Sequence, residues 1–260
     1  MTLRKLTTIL MLSTLSLLIM LGVCALSLEA AMAQSDGTPS PDPALLTPTV
    51  TPNYAATVTS LDAKIKKNAK DAVAFLERGL ANYYQNKLDL ALADYNQAIV
   101  LDPKYAAAYY DRGLLYDNQK KYDLAVADYT QDIKIDPTDA NAYFNRGLAN
   151  YHQGNYIQAL SDDNTYIKMN ATDAAIYDNR ALVYIAQGKT DLALADYNKA
   201  IELDPAHAAA YDGRGNLYYD AKNYDLALAD YNQAIQSNPQ YKYAYYDRGY
   251  LYYIQKQYDF

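Results

Sequence analysis

Residues 106–139 read AAAYYDRGLLYDNQKKYDLAVADYTQDIKIDPTD, and residues 208–241 read AAAYDGRGNLYYDAKNYDLALADYNQAIQSNPQY. The two stretches carry the same residue types in the same order and start three 34-residue steps apart. Working outward at that step, Gly79, Gly113, Gly147, Gly215 and Gly249 fall on one lattice, with Ala181 in the open place. Pro103, Pro137, Pro205 and Pro239 form a second, with Ala171 in its gap. Ala91, Ala125, Ala159, Ala193 and Ala227 form a third, and Ile99, Ile133, Ile167, Ile201 and Ile235 a fourth. Four lattices without an insertion make this one unit repeated. Started at Ala72, the units are 72–105, 106–139, 140–173, 174–207 and 208–241, then a partial 242–260.

Each unit predicts two helices. Positions 4, 7, 8 and 11 share one face at the spacing of an amphipathic helix. Asp102-Pro103 and Asp204-Pro205 close the second helix, because the residue before a proline is pushed out of α geometry. A glycine inside a helix costs about 1 kcal/mol relative to alanine. Its recurrence at position 8 predicts that another helix backbone comes too close for a Cβ larger than alanine's. The alanines at positions 20 and 27 are the matching small residues. One unit cannot bury its own apolar face, so units must stack.

The pattern resembles the tetratricopeptide repeat family, with an aromatic at position 4, Gly or Ala at 8, Ala at 20, aromatic at 24, Ala at 27 and Pro at 32. The second unit carries Tyr109, Gly113, Ala125, Tyr129 and Pro137, with Asp132 in place of Ala. The fourth carries Tyr177, Ala181, Ala193, Tyr197, Ala200 and Pro205, and the fifth Tyr211, Gly215, Ala227, Tyr231, Ala234 and Pro239. The third departs, with Asp163, Tyr166 and Ala171 at positions 24, 27 and 32. The resemblance implies an all-α fold, a right-handed superhelical α-solenoid of helix-turn-helix units. Residues 54–71 resemble a lone second helix and read as an N-terminal capping helix. At the far end, 242–260 is either a single-helix cap or the start of a unit in a longer chain. An open face there predicts self-association through the C-terminal end.

Ahead of the repeats, Arg4 and Lys5 precede an apolar run from Leu6 to about Leu28, followed by Ala31-Met32-Ala33. A charged start, an apolar centre and a small-x-small site read as a signal peptide over 1–33. The run is long enough to serve instead as an uncleaved anchor, and Leu21-Gly22-Val23-Cys24 looks like a lipoprotein box. All three readings place the repeats outside the cytoplasm: secreted, periplasmic or at the cell surface. Residues 34–53 hold five of the nine prolines among Thr and Ser, which predicts an extended linker.

Composition narrows the chemistry. One cysteine and two histidines leave no material for a disulfide framework or a metal centre. A net charge of −7 without a Lys/Arg block in the repeats argues against nucleic acid. No nucleophile–base arrangement or phosphate-cradling loop occurs, and the many aspartates recur with the unit, whereas a catalytic group is expected once. We therefore expect no enzyme activity, no cofactor and no metal. His152 and His207 read as surface histidines.

Two ladders remain. Position 7 holds Arg78, Arg112, Arg146, Arg180, Arg214 and Arg248, and position 23 holds Asp94, Asp128, Asp162, Asp196 and Asp230. They predict an Arg–Asp pair inside each unit rather than an anion site. Positions 5, 6 and 12 of the first helix lie opposite the packed stripe, on the face that lines the peptide groove in the family. There the chain places Tyr83, Tyr110, Asp111, Phe144, Asn145, Tyr151, Asp178, Asn179, Tyr219, Tyr246 and Asp247. Tyrosine offers large contact area with two torsions and a hydroxyl, and the chain has thirty, none before residue 54. Asn145 and Asn179 resemble the asparagine ladder of O-linked N-acetylglucosamine transferases. Positions 2, 5 and 6 lack the lysines and arginines that clamp a C-terminal carboxylate in chaperone-docking members. The expected partner is thus an extended protein or peptide segment, neutral or basic. Stacking of exposed tyrosines on an envelope glycan is the alternative.

Overall fold

The computed structural model describes residues 53–255. The signal, anchor and lipid-box readings of 1–33, nearly all of the Pro/Thr-rich linker and the end of the partial unit lie outside the described residues. Twelve helices occupy the described residues, and no strand does. None of these helices is long and apolar enough to cross a membrane.

The described residues divide at Thr172/Asp173 into two compact units. The first holds α1 (Tyr54–Lys67), α2 (Ala72–Tyr84), α3 (Leu88–Leu101), α4 (Ala106–Asn118), α5 (Tyr122–Ile135), α6 (Ala140–His152) and α7 (Tyr156–Met169). The second holds α8 (Ala174–Ala186), α9 (Thr190–Leu203), α10 (Ala208–Asp220), α11 (Tyr224–Ser237) and α12 (Lys242–Ile254). Within each, a first helix of 13 residues packs on a second of 14, and each hairpin packs on the next. This is the helix-hairpin solenoid expected from the lattice. α1 packs on α2 in the register of a second helix, and α12 packs on α11 in the register of a first.

Local chemistry sets the ends. Asp71, Asp139 and Asp173 cap α2, α6 and α8 through side-chain oxygens that accept from backbone N–H groups of the first turn. Asp102, Asp136 and Asp204 end the second helices in extended geometry before proline, and each Oδ1 accepts from the N–H two residues on. The turn inside each hairpin needs one left-handed residue. Gly154 and Gly188 supply it at φ of 76° and 70°, but Asn86, Lys120 and Lys222 adopt it at 58°, 58° and 61°.

The position-8 glycines have a different cause from the one the sequence suggested. A Cβ on Gly79, Gly113 or Gly215 would stand 2.6–2.7 Å from the ring of Tyr95, Tyr129 or Tyr231. The close neighbour is the position-24 tyrosine, not a helix backbone. These tyrosines are at most 1% exposed, so the rings cannot retreat. Where Ala181 replaces glycine, the Tyr197 ring lies against the next first helix, and Gly213 leaves room for it. A Cβ there would stand 2.4 Å from the ring. In the third repeat the aromatic moves one turn along the second helix. Asp163 Oδ1 sits against Gly147, while Tyr166 at position 27 is buried and meets Phe144 at 5.3 Å between centroids.

All five complete repeats hold the same fork. Arg78, Arg112, Arg146, Arg180 and Arg214 each donate Nε and Nη2 to the two oxygens of Asp94, Asp128, Asp162, Asp196 and Asp230, at 2.6–3.0 Å. The aspartates are buried and the arginines half-buried, so this bidentate pair counts for more than an exposed one. The sequence reading missed the remaining nitrogen. Nη1 reaches back sixteen residues, from Arg78 to Asp62, Arg112 to Asn96, Arg146 to Thr130 and Arg214 to Asn198, and so ties these four repeats to the second helix before each.

Candidate peptide-binding faces

The two units each present a run of first helices, and the candidate residues divide between them. In the first unit, Tyr83 on α2 is half-buried and its hydroxyl accepts a 3.4 Å bond from Asn118 Nδ2 on α4. Tyr110 and Asp111 on α4 are half-buried. The Tyr110 hydroxyl accepts from Asn145 Nδ2 on α6 at 2.9 Å, and its ring leans on Tyr129 at 5.9 Å. Asn145 is itself 2% exposed, so its amide supports Tyr110 rather than standing open. Phe144 is half-buried against Tyr166. Tyr151 is buried between His152 and Tyr156 and offers little surface. Two separate hydrogen bonds thus tie Tyr83 to α4 and Tyr110 to α6, with Asp111 beside Tyr110 on α4.

Electrostatics single out Asp111. Burial raises its carboxyl to about 7, because the ionised form loses water without gaining a cation. Asp132, the position-27 substitution, is 1% exposed, and neither carboxylate oxygen has a hydrogen-bond partner. Burial, then Asp139 and Asp136, raise it to about 7 as well. The lattice marked Asp132 only as a departure. Its cost becomes visible once α5 and α6 pack.

In the second unit, Asp178 and Asn179 on α8 are buried. Asp178 Oδ2 lies 3.7 Å from His207 Nε2, whose other ring nitrogen lies 3.6 Å from Asp204. His207 is therefore a half-buried histidine between two carboxylates, not the surface residue expected. Burial pulls its imidazole down, and Asp178 and then Asp204 more than offset this, leaving it raised. The Asn179 amide has no hydrogen-bond partner on either atom. Asp247 on α12 accepts from Asn216 Nδ2 at 3.2 Å, and burial raises it to about 6. Asp212 is 1% exposed without a hydrogen bond to its oxygens, and burial followed by Asp247 raises it well above the carboxylate range. Tyr219 lies half-buried among Tyr224 and Tyr250, while Tyr246 is 50% exposed.

One property is shared by the faces of both units. At positions 2, 5, 6, 9, 12 and 13 of the six first helices there are seven carboxylates, at residues 77, 111, 117, 178, 212, 220 and 247, and neither a lysine nor an arginine. Among the described residues no cluster of three or more His, Cys, Asp or Glu is arranged to hold a metal ion.

Two tetratricopeptide repeat models match the chain, one over residues 79–120 and 118–154 and the other over 179–242 and 213–259. Together they span more than half of it. The chain belongs to the tetratricopeptide repeat family. Members of this family are in general scaffolds for protein–protein interaction rather than catalysts. No curated protein matches this tetratricopeptide repeat chain significantly in sequence. Among solved structures, YrrB, described as a tetratricopeptide repeat protein with an unusual peptide-binding site, superposes with a TM-score of 0.61 at 24% identity, over 73% of this chain and 97% of its own. PilF of Pseudomonas aeruginosa gives 0.63 at 19%, over 74% and 88%. MamA gives 0.58 at 24%, over 62% and 95%. At these identities the likeness is one of fold.

Proposed function

We propose that this chain is a non-catalytic scaffold that grips an extended peptide segment, neutral or basic, along the faces of its first helices. The observation that carries the reading is charge. The face of the first unit carries carboxylates at 77, 111 and 117, and that of the second at 178, 220 and 247 besides the buried Asp212. Neither face has a lysine or arginine, and such faces disfavour acidic segments. Burial holds Asp111 near 7 and Asp247 near 6, so an arriving lysine or arginine relieves a strained carboxylate as well as pairing with it. The tyrosine hydroxyls and ring edges around Asp111 supply contacts for a neutral backbone, and peptide binding in YrrB is consistent with this use of the fold. We place the scaffold outside the cytoplasm on the sequence of residues 1–33.

Selection of a random-peptide library on the intact chain tests the reading, with a Tyr110→Ala/Asp111→Asn variant in parallel. Enrichment of lysine- or arginine-bearing peptides, lost on the variant, is the expected result. Peptides enriched equally on both would remove the function from this face. Retention on envelope material that soluble glycan abolishes and peptide does not would make the chain a glycan binder.

A further inference from the structure

In the first compact unit the second helices all end at one edge. Consecutive hairpins stack in one register, so the last turns of α1, α3, α5 and α7 and the links that follow them stand side by side. These stretches read KKNAK at 66–70, VLDPK at 100–104, KIDPT at 134–138 and KMNAT at 168–172. They bring Lys66, Lys67, Lys70, Lys104, Lys134 and Lys168 to the edge, all exposed and none in an ion pair among the described residues. The carboxylates there are Asp102, which accepts from the Lys104 N–H, and Asp136, which accepts from the Thr138 N–H and hydroxyl. Just behind, Asp71 and Asp139 cap the next helices, and Lys64 lies 3.7 Å from Asp71 and 3.5 Å from Glu77. The four stretches thus hold six cations against two anions, in a chain of net charge −7. Val100, 72% exposed, and Met169, 45% exposed, stand among the lysines.

Helix formation does not demand this charge. A lysine in a last turn complements the helix dipole, and Lys66, Lys67, Lys134 and Lys168 sit where they can do so. Yet α9 and α11 end with no basic residue in the last turn. The matching stretches of the second unit, ELDPA at 202–206 and QSNPQ at 236–240, contain no lysine at all. Lys70 and Lys104 lie beyond their helices.

We propose that this lysine edge is a docking surface for a bilayer that exposes anionic phosphate headgroups. A lysine ammonium is a point charge on a flexible stem, so it pairs with a mobile headgroup without a fixed geometry. A partner read by planar, two-pronged bonding calls for arginine instead. The arginines of this unit, Arg78, Arg112 and Arg146, are committed to Asp94, Asp128 and Asp162. Val100 and Met169 add apolar side chains that enter the headgroup layer once the lysines have brought it close. The acidic face of a second copy's second unit fits poorly, because Asp178, Asp212 and Asp247 are at most 6% exposed. On the anchor and lipid-box readings of residues 1–33, about 25–30 residues link the membrane to α1, a reach of roughly 30 Å. Such a tether would hold the edge at high local concentration beside lipid. The surface is separate from the acidic faces and does not depend on what they bind.

Trace acetylation of lysines in the intact chain, read by mass spectrometry, tests this whether or not residues 1–33 hold the chain to lipid. The probes are phosphatidylcholine vesicles with and without phosphatidylglycerol. Lys87, Lys120 and Lys121 are the reference, since they are exposed in the same unit at the other end of the second helices, about 20 Å away. Phosphatidylglycerol vesicles should slow acetylation of the six edge lysines at least about threefold relative to the reference, and added salt should remove the difference. A Lys66→Gln/Lys67→Gln/Lys134→Gln/Lys168→Gln variant, its fold checked by circular dichroism, should lose the protection of Lys70 and Lys104. A Lys87→Gln/Lys120→Gln/Lys121→Gln variant should keep it. Equal protection of both edges, equal protection by the two kinds of vesicle, or protection that survives in the first variant overturns the proposal. Protection that grows with protein concentration in the absence of vesicles also overturns it and assigns the edge to a second copy. Protection by polyglutamate but not by vesicles overturns it in favour of an acidic polypeptide.

Discussion

Asn145 and Tyr110 lie thirty-five residues apart on consecutive first helices and are joined by a 2.9 Å hydrogen bond from the amide nitrogen to the phenol oxygen. The amide is buried and its donor is committed, so it fixes where the tyrosine points. Asn145→Ala should therefore cost about 1 kcal/mol of stability, the worth of one buried hydrogen bond. It should weaken peptide binding less than Tyr110→Ala does. Denaturant unfolding beside titration of a selected peptide checks both; a larger binding loss for Asn145→Ala would mean the amide meets the ligand directly.

Asp132 should be a stability defect with a definite pH dependence. Its folded value of about 7 stands above the ordinary 3.8, so the unfolded chain releases the proton first. The protonated carboxyl is tolerated below about pH 4, and stability is lost as pH rises through about 7. Replacing it by the alanine found at this position in three other repeats should gain about 1–3 kcal/mol at pH 8 and much less at pH 4. Thermal melts of Asp132→Ala at the two pH values measure this, and an equal gain at both would refute the ionisation argument.

Lys120 and Lys222 hold left-handed backbone at φ of 58° and 61° where two other repeats use glycine. A side chain costs about 1–2 kcal/mol in that region. Part of this is returned by the greater freedom of unfolded glycine, so Lys120→Gly and Lys222→Gly should each stabilise by about 0.5–1 kcal/mol. Unfolding midpoints of the single and double variants should rise additively, since the two turns lie in separate units.

Ala181, Tyr197 and Gly213 should behave as one packing group. Gly213→Ala sets a methyl against the Tyr197 ring and should destabilise by about 1–3 kcal/mol. Adding Ala181→Gly restores the arrangement of the other repeats and gives the ring a place to go. The double variant should recover part of the loss, visible as a coupling term in a double-mutant cycle. Strict additivity would mean the ring does not shift.

The fold was readable because the 34-residue lattice reports the hairpin directly: Gly113 and Tyr129, or Arg112 and Asp128, keep their separation in nearly every repeat. The left-handed turns were hidden because Lys120 and Lys222 do not advertise positive φ as Gly154 and Gly188 do. The role of the glycines was misjudged because spacing shows that something comes close without saying whether it is Tyr129's ring or a backbone. His207 looked like a loop residue because Asp178, its partner, comes from the preceding hairpin. The candidate faces were legible as positions, but not which members are consumed internally. Asn145 and Tyr151 are buried by neighbours that only the packed helices bring to them.

Ionisation should also tune binding. With Asp111 near 7, its carboxylate is mostly protonated at pH 6 and mostly ionised at pH 8. Affinity for a lysine-bearing peptide should rise several-fold, up to about tenfold, across that range, and Asp111→Asn should flatten the profile. A slope unchanged in the variant would place the titrating group elsewhere.

The most direct test of the scaffold account is calorimetric titration of one selected peptide in lysine and glutamate versions against the intact chain and the Tyr110→Ala/Asp111→Asn variant. The account predicts that the lysine version binds the intact chain at least tenfold more tightly and that the variant loses most of this preference. Equal affinity for the two versions, or a preference that survives in the variant, would contradict it.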